Sequence, residues 1–377
     1  MKSKKKASVA TLSVHAGSAG DTQFGGLSTP LFPSSAYDYT EGVRYPRYFN
    51  TPNQLAVVKK LAALENGEDG LLLSSGMAAI MSTLFALVRS GDHVIFQQDL
   101  YGGTHHAVLH EFAKFGIDYT LVDAAQPDAF QKAIRKTTRV IFVETPSNPL
   151  LKITNLPAIV ALSRKHKLIS VIDNTFASPI NQQPLDLGID VVTHSGTKYI
   201  GGHSDLICGA VVASKELIGQ IRSTALNFGG NADAYTCWLV ERSLKTLALR
   251  VKQQNENALQ LARWLAKHKR VQQVYYPGLT THPGHTIAKK QMPGGFGGML
   301  SFEVKGNVEL FIRKLEYIKK AVSLGGVEST IAEPVKTSHA KLSAAERKAA
   351  GIRDSLVRLS VGIEDVNDLM LDLDQAL

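Results

Sequence analysis

Cysteine is scarce in this chain of 377 residues: Cys208 and Cys237 are the two it has. Two thiols cannot build the disulfide framework of a small secreted scaffold, and no zinc-module spacing accompanies them. Cys208 lies in an apolar run, where a reduced, buried thiol is the ordinary state. Long apolar runs are missing too. No stretch reaches the ~20 residues that cross a bilayer. The basic start MKSKKKASVA is not followed by the apolar segment of a signal peptide. A cytoplasmic location, a solvated basic tail and no membrane partner are therefore expected. Charge is not gathered into patches. Lys and Arg number 42 against 33 Asp and Glu, a net +9, yet apart from KSKKK the basic residues are dispersed. No helix-turn-helix, zinc-finger or RNA-recognition signature is present, so no nucleic-acid partner is expected. A basic surface suits small anionic ligands instead. Internal repeats are also absent.

What is present is an ordinary globular composition, 44% hydrophobic and 20% charged. From about residue 70 short apolar runs recur: GLLLSSG (70–76), HVIFQQD (93–99), YTLVD (119–123), RVIFVETP (139–146), LISVIDN (168–174), DVVTHSG (190–196) and ICGAVVAS (207–214). Most are continuous rather than alternating, as in strands buried on both faces of a mostly parallel sheet. Helix-like segments separate them: GMAAIMSTLFALVRSG (76–91) with a glycine stop, PDAFQKAIRK (127–136) and LPAIVALSRKHK (156–167). The alternation predicts a doubly wound α/β domain with its ligand beyond the carboxyl ends of the strands. Residues 243–268 read as one long helix, with Leu244, Leu247, Val251, Ala258, Ala262 and Leu265 at helical spacing, linking to a smaller α+β domain. In SLVRLSVG (355–362), Val357, Leu359 and Val361 share one face and Arg358 and Ser360 the other. SAAE (343–346) forms a capping box whose helix should stop near Gly351. Residues 1–60 show no strong periodicity. The expected division is an arm over 1–55 that packs on a neighbour, a large domain over 56–242 and a small domain over 243–377.

Four polar clusters follow four apolar runs. SSGM (74–77) opens a helix, whose first amides attract an anion; a serine-capped turn is the plainer account. ETPSNP (144–149) is by itself a turn. DNTF (173–176) puts Asp173 at a strand end, as a cap or as an anion held for a cation. The fourth, SGTK, lies within HSGTKYIGGHSD (194–205). It lacks the glycine spacing and residue order of a P-loop. His194, His203 and Asp205 lack the spacing of a metal site, so no metal is expected. Lys198 is either a solvated loop lysine or, with Ser195 and Thr197 placed for a phosphate, a nucleophile toward an aldehyde. Together the clusters offer an anion cradle, a carboxylate and a lysine at one sheet edge. Those are the three things pyridoxal 5′-phosphate requires.

The stretch SGTKYIGGHSD, with SSGMAA, DLYGGT, ETPSNP, VIDNTF, YYPGL, LGGVES and LVRLSVGIED in that order, resembles the Cys/Met-metabolism enzymes of the pyridoxal-phosphate fold-type I class. The resemblance runs from about Tyr45 to the C-terminus. It implies a mostly parallel sheet flanked by helices and a smaller C-terminal α+β domain. It also implies that Lys198 forms the internal aldimine, that Asp173 partners the ring nitrogen, and that Tyr101 stacks on the ring. Gly76, Met77, Ser195 and Thr197 would cradle the phosphate, reached from a neighbouring subunit by Tyr45 and Arg47. Asn148, Ser329 and Arg358 would hold the substrate's α-carboxylate, a guanidinium gripping it in bidentate fashion. Glu328 would meet the distal ammonium of cystathionine, and Tyr101 and Tyr45 would assist proton transfer. The implied activity is a carbon–sulfur lyase of transsulfuration, most simply a cystathionine γ- or β-lyase, with cystathionine γ-synthase as the alternative. Gly103, where methionine γ-lyases usually carry cysteine, disfavours that activity. YFNTPN (48–53) departs from the family pattern. A dimer, or a dimer of dimers, acting on small amino-acid substrates is expected.

Overall fold

The computed structural model describes residues 7–126, 128–340 and 343–377. The basic start, residues 1–6, lies outside the described residues, as does Pro127 of the segment expected to be helical over 127–136. All seven apolar runs become strands of one sheet: β1 (Asp69–Leu73), β2 (His93–Gln97), β3 (Asp118–Val122), β4 (Thr138–Glu144), β5 (Ile169–Asp173), β6 (Val191–Ser195) and β7 (Gly209–Ala213). Their order is β1-β7-β6-β5-β4-β2-β3. The pairs from β3 to β6 are parallel, and β7 runs antiparallel to both β6 and β1. Continuous apolar sequence is explained by layers on both faces. Phe96, Val140, Phe142 and Val171 face one core cluster; Ile95, Ile141, Val143 and Ile172 face another.

A second sheet carries β8 (Val271–Tyr275), β9 (Met299–Val304), β10 (Lys319–Lys320), β11 (Thr330–Ala332) and β12 (Leu356–Ser360), ordered β10-β11-β12-β9-β8. As the alternation requires, Val357, Leu359 and Val361 enter its core while Arg358 points the other way, toward the large domain. The chain thus has the expected architecture: a mostly parallel sheet between helices and a smaller sheet domain.

Three expectations need correction. Residues 243–268 are not one helix. A helix Ala234–Leu244 ends, Lys245 and Thr246 form a turn, and a second helix runs Leu247–Leu265. Arg250 reaches back across the turn, its Nη2 donating to the Ser243 carbonyl at 2.9 Å and its Nε to Thr246 Oγ1 at 3.1 Å. The second helix joins the domains: Leu247 and Val251 pack in a large-domain core, and Ala258, Leu261 and Leu265 in that of the small domain. Residues 1–60 are not structureless. Helix α1 spans Val9–His15, and α2 spans Pro52–Glu65, so the boundary drawn at 55/56 falls inside α2. Helix α3 spans Gly76–Leu87 and stops at Val88, before Gly91, because Val88 turns extended (φ −131°, ψ 155°). The Ser343–Glu346 capping box forms as expected, and its helix ends ahead of Gly351.

Candidate active site

The carboxyl ends of β4, β5 and β6, the start of α3 and the edge of β12 surround a cavity of about 560 Å3. Gly76, Met77, Tyr101, Asn148, Asp173, Ser195, Thr197, Lys198 and Arg358 all line it, so nine of the expected residues meet at one place.

Ser75 caps α3, its hydroxyl accepting from Ala78 N at 3.0 Å, which leaves the first amides directed at the cavity. Gly76 is required there by contact: a Cβ would lie 2.8 Å from Ser195 Cβ. Serine and the helix terminus are thereby pressed into a small concave cradle, the shape and polarity that suit a phosphate. Thr197 Oγ1 donates to the Cys208 carbonyl at 3.3 Å and accepts from Cys208 N at 3.2 Å, which holds the turn ahead of Lys198.

Asp173 ends β5. Thr175 N and Thr175 Oγ1 donate to its Oδ1 at 3.0 and 2.5 Å, and the same hydroxyl accepts from Ser195 N at 2.7 Å. Burial raises the Asp173 pKa, and the two Thr175 bonds oppose that rise by favouring the anion. Glu144, its register neighbour on β4, is pushed well above the usual carboxylate range, first by burial and then by the Asp173 charge. Glu144 Oε2 accepts from Tyr101 N at 2.8 Å, and this fixes the entry to helix α4 (Gly102–Glu111).

Lys198 Nζ donates to Ser323 Oγ at 2.7 Å. Burial, together with the Arg358 charge, lowers its pKa to about 8. Arg358 donates from Nη1 to Asn148 Oδ1 at 2.9 Å and from Nη2 to the Ser323 carbonyl at 3.1 Å. Ser323 therefore touches both cations. It sits in left-handed backbone (φ 77°), uncommon for a residue other than glycine.

Four expected residues lie elsewhere. Ser329 is buried behind the site, donating to Glu364 Oε2 at 2.9 Å and accepting from Gly362 N at 2.9 Å. Glu328 does not line the cavity, and its carboxylate takes the Ser204 hydroxyl. Tyr45 and Arg47 also do not line this cavity; Arg47 Nη1 donates to the Leu226 carbonyl at 2.9 Å. The histidines of HSGTKYIGGHSD point to protein partners, His194 to Glu65 and His203 Nδ1 to the Gly201 carbonyl at 2.7 Å. Sequence reasoning passed over Glu144, Thr175 and Ser323. Thr175 could have been found, since a hydroxyl two residues past a strand-end aspartate is placed to bond back to it. Nothing local marks Ser323, because its partners lie 125 and 35 residues away in the chain.

Fold and site together define a pyridoxal-phosphate enzyme of fold type I. The cradle, Asp173 and Lys198 fit that cofactor in charge and order. The chain belongs to the Cys/Met-metabolism PLP-dependent enzymes, whose family model matches residues 10–377. It is 43% identical to a cystathionine gamma-lyase of Bacillus subtilis, over 97% of this chain and 98% of that one. It is 42% identical to a cystathionine beta-lyase of Lactococcus lactis subsp. cremoris, over 98% and 99%. The solved structure of cystathionine gamma synthase from Xanthomonas oryzae pv. oryzae in complex with cystathionine superposes with a TM-score of 0.95 at 40% identity, covering 99% of this chain and 98% of that one.

Proposed function

We propose that the chain is a carbon–sulfur lyase acting on cystathionine through pyridoxal phosphate. The observation that carries this is the pair of cations around Ser323, Lys198 and Arg358, in one cavity with Asp173. When bound, the cofactor supplies an electron sink for charge developing at the substrate Cα. The protein does the rest. Lys198 would hold the cofactor and, as a free amine, move the proton at the substrate Cα; burial and the Arg358 charge lower its pKa to about 8, which raises the share of neutral, basic amine near neutral pH. Ser323 holds Nζ in place by accepting from it. Asp173, its Oδ1 fixed by Thr175, would partner the ring nitrogen, and Tyr101 would stack on the ring. Gly76, Met77, Ser195 and Thr197 take the phosphate. Asn148 and Arg358 take the substrate carboxylate as a preassembled pair. Ser329 braces Gly362 and Glu364 behind them. Glu328 has no part in this scheme.

Tyr45 and Arg47 complete the site of a second copy, with Tyr45 as well as Tyr101 placed to assist proton transfer. The arm's exposed apolar residues support this: Phe24, Leu27, Tyr39 and Val43 stand largely in solvent in a single chain. The working unit in this reading is a dimer or a dimer of dimers in the cytoplasm, where Cys208 and Cys237, both free and buried, stay reduced. Among the described residues no helix is long and apolar enough to cross a membrane.

Gamma-replacement on an O-acyl-homoserine with cysteine is the second reading, favoured by the likeness to the Xanthomonas synthase. A substrate panel separates the outcomes. Pyruvate and homocysteine from cystathionine mean β-elimination, 2-oxobutyrate and cysteine mean γ-elimination, and cystathionine formed from O-acyl-homoserine means synthesis. The unsubstituted protein should be yellow and lose its visible band to borohydride, while Lys198→Ala should show no such loss. A colourless protein that pyridoxal phosphate cannot reconstitute would sink the proposal.

A further inference from the structure

At the ends of β4, β5 and β6, neighbouring residues divide between two sides. Glu144, Asp173 and Ser195 line the cavity. Their chain neighbours Thr145, Asn174 and His194 are buried away from it. Two of them, Asn174 and His194, converge on one carboxylate, that of Glu65, the last residue of α2, and Thr145 joins them through Gln182. Glu65 Oε1 accepts from His194 Nε2 at 2.5 Å and from Asn174 Nδ2 at 3.0 Å. Asn174 also donates to the Gln182 carbonyl at 3.0 Å, while Gln182 Nε2 donates to Asn174 Oδ1 at 2.9 Å and to the Thr145 carbonyl at 3.3 Å. One connected set of polar groups therefore touches all three strand ends, each one residue from a group in the cavity.

Stability alone is a poor account of this arrangement. Glu65 is 1% exposed, and its Oε2 is buried with no partner among the described residues; Gln182 Oε1 is in the same condition. Buried oxygens left unpaired at its centre make it a costly way to fill the space. What the network does offer is fixed direction. A strand end can rotate about its own axis, and a rotation that moves Asn174 or His194 moves Asp173 or Ser195 with it. Holding both neighbours on a single carboxylate oxygen sets the angle between Asp173 and the turn that carries Lys198.

We propose that Glu65 is a positioning residue for the cofactor, acting through His194 and Asn174 to fix Asp173 and the Ser195–Lys198 turn relative to each other. The proposal rests on the cofactor roles given above for Asp173 and Lys198. Its test uses the whole holoenzyme and two readouts other than activity: the dissociation constant for pyridoxal phosphate, and the visible circular dichroism of the bound cofactor, which reports how rigidly it is oriented. Glu65→Gln keeps the shape and loses the charge. It should weaken cofactor binding about tenfold and reduce the visible dichroism, and His194→Leu should do the same. The double variant should be no worse than either single one, because both act through one link.

Unchanged affinity and dichroism in both variants, with only a lower melting temperature, would overturn the proposal, as would effects that multiply in the double variant. If Glu65→Gln does not fold, His194→Leu and Asn174→Leu give the same comparison. Yellow colour and borohydride loss in the unsubstituted protein are the control. If that control fails, the cofactor roles fail; if it succeeds while the variants behave as the unsubstituted protein, Glu65 alone is misassigned.

Discussion

Lys198 holds its proton weakly for a lysine, and the reasons can be separated. Burial penalises the ammonium, the Arg358 guanidinium repels it, and Asp173 partly compensates; the result is a pKa of about 8. The unprotonated amine is the reactive form, so at pH 7 about a tenth of the apoprotein is ready to capture an aldehyde. The capture rate of pyridoxal phosphate by the apoprotein should therefore rise with pH through a midpoint near 8. Removing the neighbouring positive charge with Arg358→Met should favour the ammonium and move the midpoint upward. Stopped-flow absorbance across pH 6–10.5 measures both, and a midpoint near that of an ordinary lysine in the unsubstituted protein would refute the account. The pairing of Arg358 with the cavity was legible in sequence, because alternation along β12 put it opposite Val357 and Leu359. Its partner Ser323 was not, because contact between residues far apart in the chain leaves no local pattern.

Among the elements, those with a simple environment were the readable ones. Six of the seven strands are largely buried on both faces, so their apolar runs announced them; β3, at the sheet edge, is only partly buried. Helix α2 was missed because only a narrow strip, Leu55 and Lys59, is exposed and some of its buried positions are polar: Asn53, Gln54, Lys60 and Glu65 lie among Ala56, Val57, Leu61 and Leu64. An amphipathic stripe cannot be read where polar side chains face inward to serve a loop, a helix end or a site. The break at Lys245 and Thr246 was hidden for the opposite reason: Leu244 and Leu247 are both fully buried on either side of it, so apolar spacing continues through the turn. The segment bearing Ser323 depends on Gly325, which has φ 76° and whose absent Cβ would lie 2.8 Å from Tyr199 N and 3.2 Å from the Lys198 carbonyl carbon. Gly325→Ala adds both left-handed strain, ~1–2 kcal/mol, and a clash with backbone that cannot swing aside. The segment should shift and carry Ser323 from Lys198, with kcat falling by about 10–100-fold. Steady-state kinetics on cystathionine test this; a loss below twofold would show that the loop yields without moving Ser323.

Across the whole molecule, the site as one chain builds it has a cradle, a lysine, an acid and a carboxylate grip, yet Tyr45 and Arg47 take no part in it. The arm that bears them displays apolar side chains to water, which a second copy would cover. If two chains pair about a twofold axis, each arm completes the other's cavity, and every site draws Lys198 from one chain and Arg47 from the next. Lys198→Ala and Arg47→Ala should then each be inactive or severely impaired alone. Mixed, unfolded and refolded together, they should regain activity. Random pairing makes about half the dimers hybrid, and each hybrid holds one site with both residues intact, so about a quarter of the sites recover. Recovery should track the hybrid dimer in sedimentation and disappear when each variant is refolded separately. Arg47 serving its own chain predicts a different result: no recovery in any mixture, because every chain would then carry a defect in its own site.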